Sequence, residues 1–263
     1  MKGNCFSLMD THLHWDQLPE DQMEGIVNRA LEAKVEKAVA VATDPCSCLD
    51  LLQWKKRFPE FLVVGFGLHP EYHHGSQDEE KVLRLIGEHR DQIHAVGEVG
   101  LPYYRLREEE RHRPPERESI RRLEEFLRIA RDLDLPVILH AVHTMAAPVL
   151  DALLKIGVKR GVFHWLKAPK DVVDAILKAN FYISVTPEVC YRERDQELVK
   201  QVPLDSLLLE TDAPWPYHGP FKGQTAEPSW ILESAKEVAA IKGIEVQTVA
   251  EKTTANARKL FAL

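Results

Sequence analysis

Short runs of β-branched and other apolar residues alternate along this chain with longer stretches whose apolar residues recur every three or four positions. The first pattern is that of strands and the second that of amphipathic helices. Strands are predicted at "CFSLMDTHLH", "KAVAVAT", "FLVVGFGLH", "HAVGEVGL", "PVILHAV", "GVFHW", "FYISVT" and "SLLLETD". Between them "QMEGIVNRALEA", "EEKVLRLIGEH", "RRLEEFLRIARDL", "PVLDALLKI" and "VVDAILKA" carry the helical period, while the second and seventh crossovers carry it weakly. Strands that alternate with helices run parallel. Eight such units predict an α/β protein, a single (β/α)8 barrel of the TIM type. No linker, repeat or shift of composition divides the chain, so residues 1–263 are expected to form one domain. The densest charge run, "YRLREEERHRPPERESIRRL", mixes both signs around a proline pair and reads as a long loop entering a helix.

Composition narrows the class. Apolar residues make up 44% and charged residues 29%, ordinary values for a chain that buries a large core. The net charge of −7 argues against a sequence-blind nucleic-acid binder with a basic surface, but not against an enzyme with a small positive patch. Four cysteines in this length make no disulfide framework. The opening "MKGNCFSLMD" lacks a signal-peptide run and no stretch approaches a membrane span. A cytoplasmic location is expected.

The candidate chemistry lies at the strand ends. In a barrel of this type the site is built at the C-terminal ends of the strands. There the sequence sets His12 and His14, then His69 in "GLHP", Glu98 in "VGEVG", His140 in "VILHA", His164 in "FHW" and Asp212 in "LLLETDAP". In a strand, residues at i and i+2 share a face, so His12 and His14 can hold one ion. Singly, each residue has a dull explanation as a solvated strand end or a turn former. Together they do not, because burying several imidazoles and carboxylates in one mouth without a cation is costly. Two divalent ions satisfy the set: His12, His14 and Asp212 on one, His140 and His164 on the other, with Glu98 bridging and positions left open for water and substrate. An imidazole-rich shell favours zinc, manganese, iron or nickel over magnesium.

"DTHLH", "GLHP", "GEVGL", His140, His164, "LLETDAP" and the closing "TANARKLF", in this order over residues 10 to about 261, resemble the TatD family of metal-dependent deoxyribonucleases, which are amidohydrolase-like barrels. The resemblance implies that His12, His14, Glu98 and Asp212 bind one metal and Glu98, His140 and His164 the other. It also implies cleavage of DNA phosphodiesters, often from the 3′ end. Three departures concern the substrate side: Pro102 stands where the family has Asp, Val142 where it often has a phosphate-contacting Arg, and "HWLKA" where it often has "HCFSG".

The expected reaction is hydrolysis by a metal-activated water with Asp212 as general base. His69 has two readings, contact with the substrate or a hydrogen bond behind a ligand. Glu210 shares a strand face with Asp212 and is expected to partner a histidine. Arg105, with Tyr103 and Tyr104, has two readings, contact with a phosphate and a stacked base or packing of the long loop by the aromatics; Lys167 and His143 are expected to supply the charge that Val142 does not. Cys46 and Cys48 read as small loop residues, Trp165 as packing for the mouth, and Asn256 as structural within a helix closing the outer ring. Three function classes follow. The first is a phosphodiesterase on single-stranded DNA ends, the second an amidohydrolase, lactonase or phosphoesterase on a small molecule, and the third a metal-binding protein without catalysis.

Overall fold

In the computed structural model, which describes residues 6–263, every predicted strand forms. They are β1 (Leu8–Leu13), β2 (Val35–Val41), β3 (Leu62–Phe66), β4 (Ala95–Gly100), β5 (Val137–His140), β6 (Gly161–His164), β7 (Tyr182–Val185) and β8 (Leu207–Leu209). The expected start of the first strand at Cys5 lies outside the described residues. The strands pair in chain order from β1 to β8, each parallel to the next, which gives the TIM-type (β/α)8 barrel. The helices are α1 (Met23–Glu32), α2 (Pro45–Arg57), α3 (Ser76–Glu88), α4 (Arg117–Asp132), α5 (Ala146–Ile156), α6 (Lys170–Lys178), α7 (Glu193–Gln201), α8 (Ile231–Lys242) and α9 (Val246–Phe261). Among the described residues no helix is long and apolar enough to cross a membrane.

Local rules explain the helices. In α4, Leu123, Phe126, Leu127 and Ala130 recur at helical steps and are buried, while Arg and Glu occupy the other face. The α2 helix corrects the loop expected at "CSC". The Asp44 carboxylate accepts from the amides of Cys46 (2.7 Å) and Ser47 (2.9 Å), and Pro45 opens the helix. Cys48 is therefore a buried helical residue whose thiol burial pushes well up, out of the reactive range.

Two apolar layers hold the barrel. The larger lies between sheet and helices; the smaller fills the interior with Met9, Val39, Val41, Val63, Ala95, Ile138, Val162 and Leu208. Ala257, Leu260 and Phe261 of α9 join that interior layer, so α9 closes the barrel floor rather than only its outer ring. Asn256 fastens it there, donating to the carbonyls of Leu204 (2.8 Å) and Leu207 (2.9 Å).

Between β8 and β1 the bonds are made largely by side chains. Thr11 Oγ1 donates to the Leu209 carbonyl (2.9 Å), and the Asp10 carboxylate accepts from the Thr211 amide (3.0 Å), the Thr211 hydroxyl (2.5 Å) and the His12 amide (3.2 Å). Just above, the Asp212 amide donates to the His12 carbonyl (2.9 Å) and the His14 amide to the Ala213 carbonyl (2.8 Å). This seam sets "DTHLH" beside "ETDAP".

A candidate metal centre in the barrel mouth

Small residues let the strands bring the candidate ligands together. A Cβ on Gly67 would collide with the Glu98 backbone, and one on Gly100 with the His140 carbonyl. Glu98 thus lies at the centre, fully buried, with its two oxygens facing two sets of histidines. Oε2 is 3.3 Å from His12 Nε2, 3.7 Å from His14 Nε2 and 3.3 Å from His69 Nε2. Oε1 is 2.8 Å from His140 Nδ1 and 2.7 Å from His164 Nε2. Asp212 Oδ1 completes the first set, 3.3 Å from His12 Nε2 and 3.4 Å from His14 Nε2. The rings of His12 and His164 stack at 4.0 Å, joining the two sets.

These contacts are close but mostly not hydrogen bonds. His12 Nε2, Glu98 Oε2 and Asp212 Oδ1 are buried and have no hydrogen-bond partner. Buried polar atoms that converge without bonding one another are expensive, unless a cation sits among their lone pairs. The groups His12–His14–Asp212 and Glu98–His140–His164 each place one ligand atom per residue within 4.8 Å of the others and can hold a metal ion. Their nitrogen and oxygen donors suit zinc or a neighbouring transition metal.

The protonation pattern is that of a site built around positive charge. Burial alone would raise the Asp212 and Glu98 carboxyls, yet the surrounding histidines hold both well below the usual carboxylate range. Burial would lower His12, His140 and His164, and the carboxylates reverse that, bringing His140 to about 9. His69 goes the other way, down to about 3, because burial dominates there. Its Nδ1 accepts from the Glu71 amide (3.2 Å), so the ring presents Nε2–H toward Glu98. Three residues at the mouth also have strained backbone. His143 (φ 54°), Trp165 (φ 39°) and Asp212 (φ 47°) all sit in the left-handed region that L-residues avoid, as residues aimed by a site often do.

Partners behind these residues fix their rings. Glu210 accepts from His164 Nδ1 (3.3 Å) and from Ser184 (2.5 Å), the histidine partner expected of it. Glu71 was not expected. Its Oε1 accepts from His140 Nε2 (2.9 Å) and from the amides of Tyr103 (2.7 Å) and Tyr104 (2.9 Å), and its Oε2 from the amide of Arg105 (2.9 Å). One carboxylate therefore orients His140, leaves Nδ1 facing Glu98, and pins the start of the long charged loop.

A cavity of about 430 Å³ opens over the cluster. Lys167 and Val142 line it as expected, and so do Tyr72, Tyr104, Glu188 and Trp215. Arg105 does not. Because Glu71 captures its amide, its guanidinium turns outward to the Tyr72 carbonyl (3.2 Å) and lines a separate cavity under the long loop. The charge expected of His143 is also absent. Burial, with Lys167, Arg194 and Arg111 nearby, pushes it down to about 4, so it is neutral at physiological pH. Lys167, which burial lowers to about 8, keeps its charge.

A parallel barrel whose mouth gathers buried histidines, a shared glutamate and an aspartate has the architecture of a metal-dependent hydrolase. Comparison with known proteins gives the family. Residues 9–262 match the family described as TatD related DNase. The chain is 32% identical over 260 residues to an uncharacterized metal-dependent hydrolase of Haemophilus influenzae, covering 97% of this chain and 100% of that protein. It is 30% identical over 271 residues to the human protein named Deoxyribonuclease TATDN3, covering 99% and 97%. Among solved structures, the TatD homolog YJJV of Escherichia coli superposes with a TM-score of 0.87 at 25% identity, covering 97% and 98%. The chain belongs to the TatD family and is a metal-dependent hydrolase.

Proposed function

We propose that this chain is a two-metal phosphodiesterase that cleaves DNA at single-stranded ends, working from the 3′ end. The observation that carries the reading is the placement of Glu98, whose two carboxylate oxygens face separate ligand sets. His12, His14 and Asp212 would hold one ion and His140 and His164 the other, with Glu98 shared between them. When bound, the ions supply Lewis acidity, bringing the pKa of a water from ~15.7 toward about 7 and offsetting charge on the phosphodiester oxygens.

The residues of the chain do the rest. Asp212, at the mouth beside His12 and His14, accepts the proton of the attacking water. Glu71 and Glu210 hold His140 and His164 in the tautomers that turn Nδ1 and Nε2 toward Glu98. Lys167 supplies a cation for the substrate phosphate beside the buried Val142. The human relative's name, Deoxyribonuclease, supports DNA as substrate. The free thiols of Cys46, Cys48 and Cys190 agree with a cytoplasmic location.

Val142 favours a second reading. An apolar wall where the family often has an arginine suits a small amide, lactone or phosphoester, on which the same activated water would act. The deciding experiment is hydrolysis of end-labelled single-stranded DNA across zinc, manganese, iron, nickel and magnesium, with Asp212→Asn as control. Stepwise shortening from the 3′ end that falls about 10²–10⁴-fold in the folded variant is the expected result. Folded, metal-loaded protein that leaves DNA intact but opens lactones or amides would establish the second reading instead.

A further inference from the structure

We propose that the cavity mouth contains a nucleotide subsite, in which Trp215 stacks the base next to the scissile bond and Lys167 with Tyr104 holds its phosphate. The subsite rests on the phosphodiesterase reading above and gives it residues that recognise the substrate.

Exposed aromatic rings are the first observation. Among the described residues the exposed large apolar side chains are five scattered aliphatics and three aromatics. The aromatics, Tyr72 at 46%, Tyr104 at 44% and Trp215 at 48%, all line the one cavity above the ligand cluster. Single exposed aliphatics need no explanation, but rings gathered around one opening mark a surface that is covered in use. Trp215 is also tied to the reacting end of the site. Its amide donates to the Asp212 carbonyl (2.9 Å), and its ring meets the buried Trp165 edge-on at 5.2 Å. It therefore has rigid support beneath it.

The second observation is a cation with no carboxylate in contact: burial and Arg194 lower its pKa, and Glu188, Asp195 and Asp212 act against them only at longer range. The Lys167 ammonium lies 3.8 Å over the Trp165 ring and donates to the Tyr104 hydroxyl (2.8 Å). Among the described residues no carboxylate comes within the 4.0 Å of an ion pair. Glu188, on the same wall, is already matched by Arg194 (2.6 Å) and Arg192 (3.4 Å). Accepting from Lys167 leaves the Tyr104 phenol free to donate, so ammonium and hydroxyl together offer two donors to one anion. Trp165 carries both functions, with the cation on its face and Trp215 against it. An anionic group joined to a flat ring, the chemistry of a nucleotide, fits that juxtaposition.

The test is a cycle on the metal-loaded enzyme, using a short single-stranded oligothymidylate and the same oligomer with its terminal base replaced by an abasic residue. Trp215→Ala is expected to raise KM for the intact oligomer about ten- to a hundredfold. Removing the base should raise it as much, and doing both no further. Trp215→Phe, which keeps a ring, should stay within a few-fold of wild type. Lys167→Ala should raise KM for both oligomers alike. The wild-type KM should climb above pH ~8 as the ammonium discharges, and Lys167→Arg should move that rise to higher pH. Should Trp215→Ala and base removal act additively, or neither alter KM, the subsite is wrong although DNA is still cut. Failure to cut any oligomer with any metal, alongside turnover of a lactone or amide, removes the phosphodiesterase reading and the subsite together.

Discussion

Glu71 shows what a single side chain contributes when it and its partners come from three separate strands' ends. It follows β3, receives three successive amides from the loop after β4, and accepts from His140 at the end of β5. Burial would raise its carboxyl, and the His140 bond with the loop amides instead lowers it to about 2, so it stays an anion throughout the working range. Glu71→Ala is expected to weaken metal binding at the Glu98–His140–His164 group about 10–100-fold, read by titration calorimetry of chelator-treated protein. The same variant should expose residues 103–113 to protease, a change that Ala at His69 should not produce. The metal candidates were legible in the sequence because a strand's period and the rule that barrel sites form at strand ends together locate a side chain. Glu71 was not, since backbone amides some 32–34 residues away leave no mark on the sequence. The misplacement of Arg105 has the same cause, because the side chain was legible and the bond that turns it was not.

At the scale of the element, the seam between β8 and β1 is where the barrel depends on particular residues. Elsewhere, neighbouring strands share backbone ladders, but here Asp10 and Thr11 add side-chain bonds to the two backbone bonds at His12 and His14. Burial raises the Asp10 carboxyl to about 8 against the bonds it accepts, so at neutral pH it works as a neutral group. Asp10→Asn should therefore be nearly as stable as wild type, since its amide oxygen can accept from the His12 and Thr211 amides and its nitrogen can donate to the Thr211 hydroxyl, reversing that bond. Asp10→Ala leaves the buried His12 and Thr211 amides unpaired, at a cost of about 1–3 kcal/mol each. Thermal unfolding should show the second variant several degrees lower and the first close to wild type. A large fall for Asp10→Asn would mean that the charge itself matters. The strands and most helices were legible from period alone. The α2 helix was not, because Cys46, Ser47 and Cys48 resemble a turn until Asp44 is recognised as its cap. The position of α9 under the barrel was also hidden, because a helical pattern states which face is apolar and not what that face covers.

The whole molecule is a well-filled barrel with costly polar atoms concentrated at one end and apolar closure at the other. His12, Glu98 and Asp212 hold buried atoms that lack hydrogen bonds, so a cation bound among them is linked to folding. At a metal concentration a thousandfold above its dissociation constant, that linkage is worth about 4 kcal/mol. Calorimetry should accordingly find the melting temperature raised by on the order of ten degrees over the chelated protein. An unchanged melting temperature at saturating zinc and manganese would argue that the cluster is not a metal site.

The floor has a consequence for how the chain is made. Met9, near one end of the sequence, shares its interior layer with Ala257, Leu260 and Phe261, so these contacts wait until residue 261 has been synthesised. Until then a nascent chain carries seven or eight strands whose inward valines and isoleucine have no cover from below. Contacts of such long sequence separation form late and leave apolar surface open to association in the meantime. A ribosome stalled between residues 210 and 256 would therefore present the eight strands without their floor as a client for holding chaperones, and emergence of α9 would end that need.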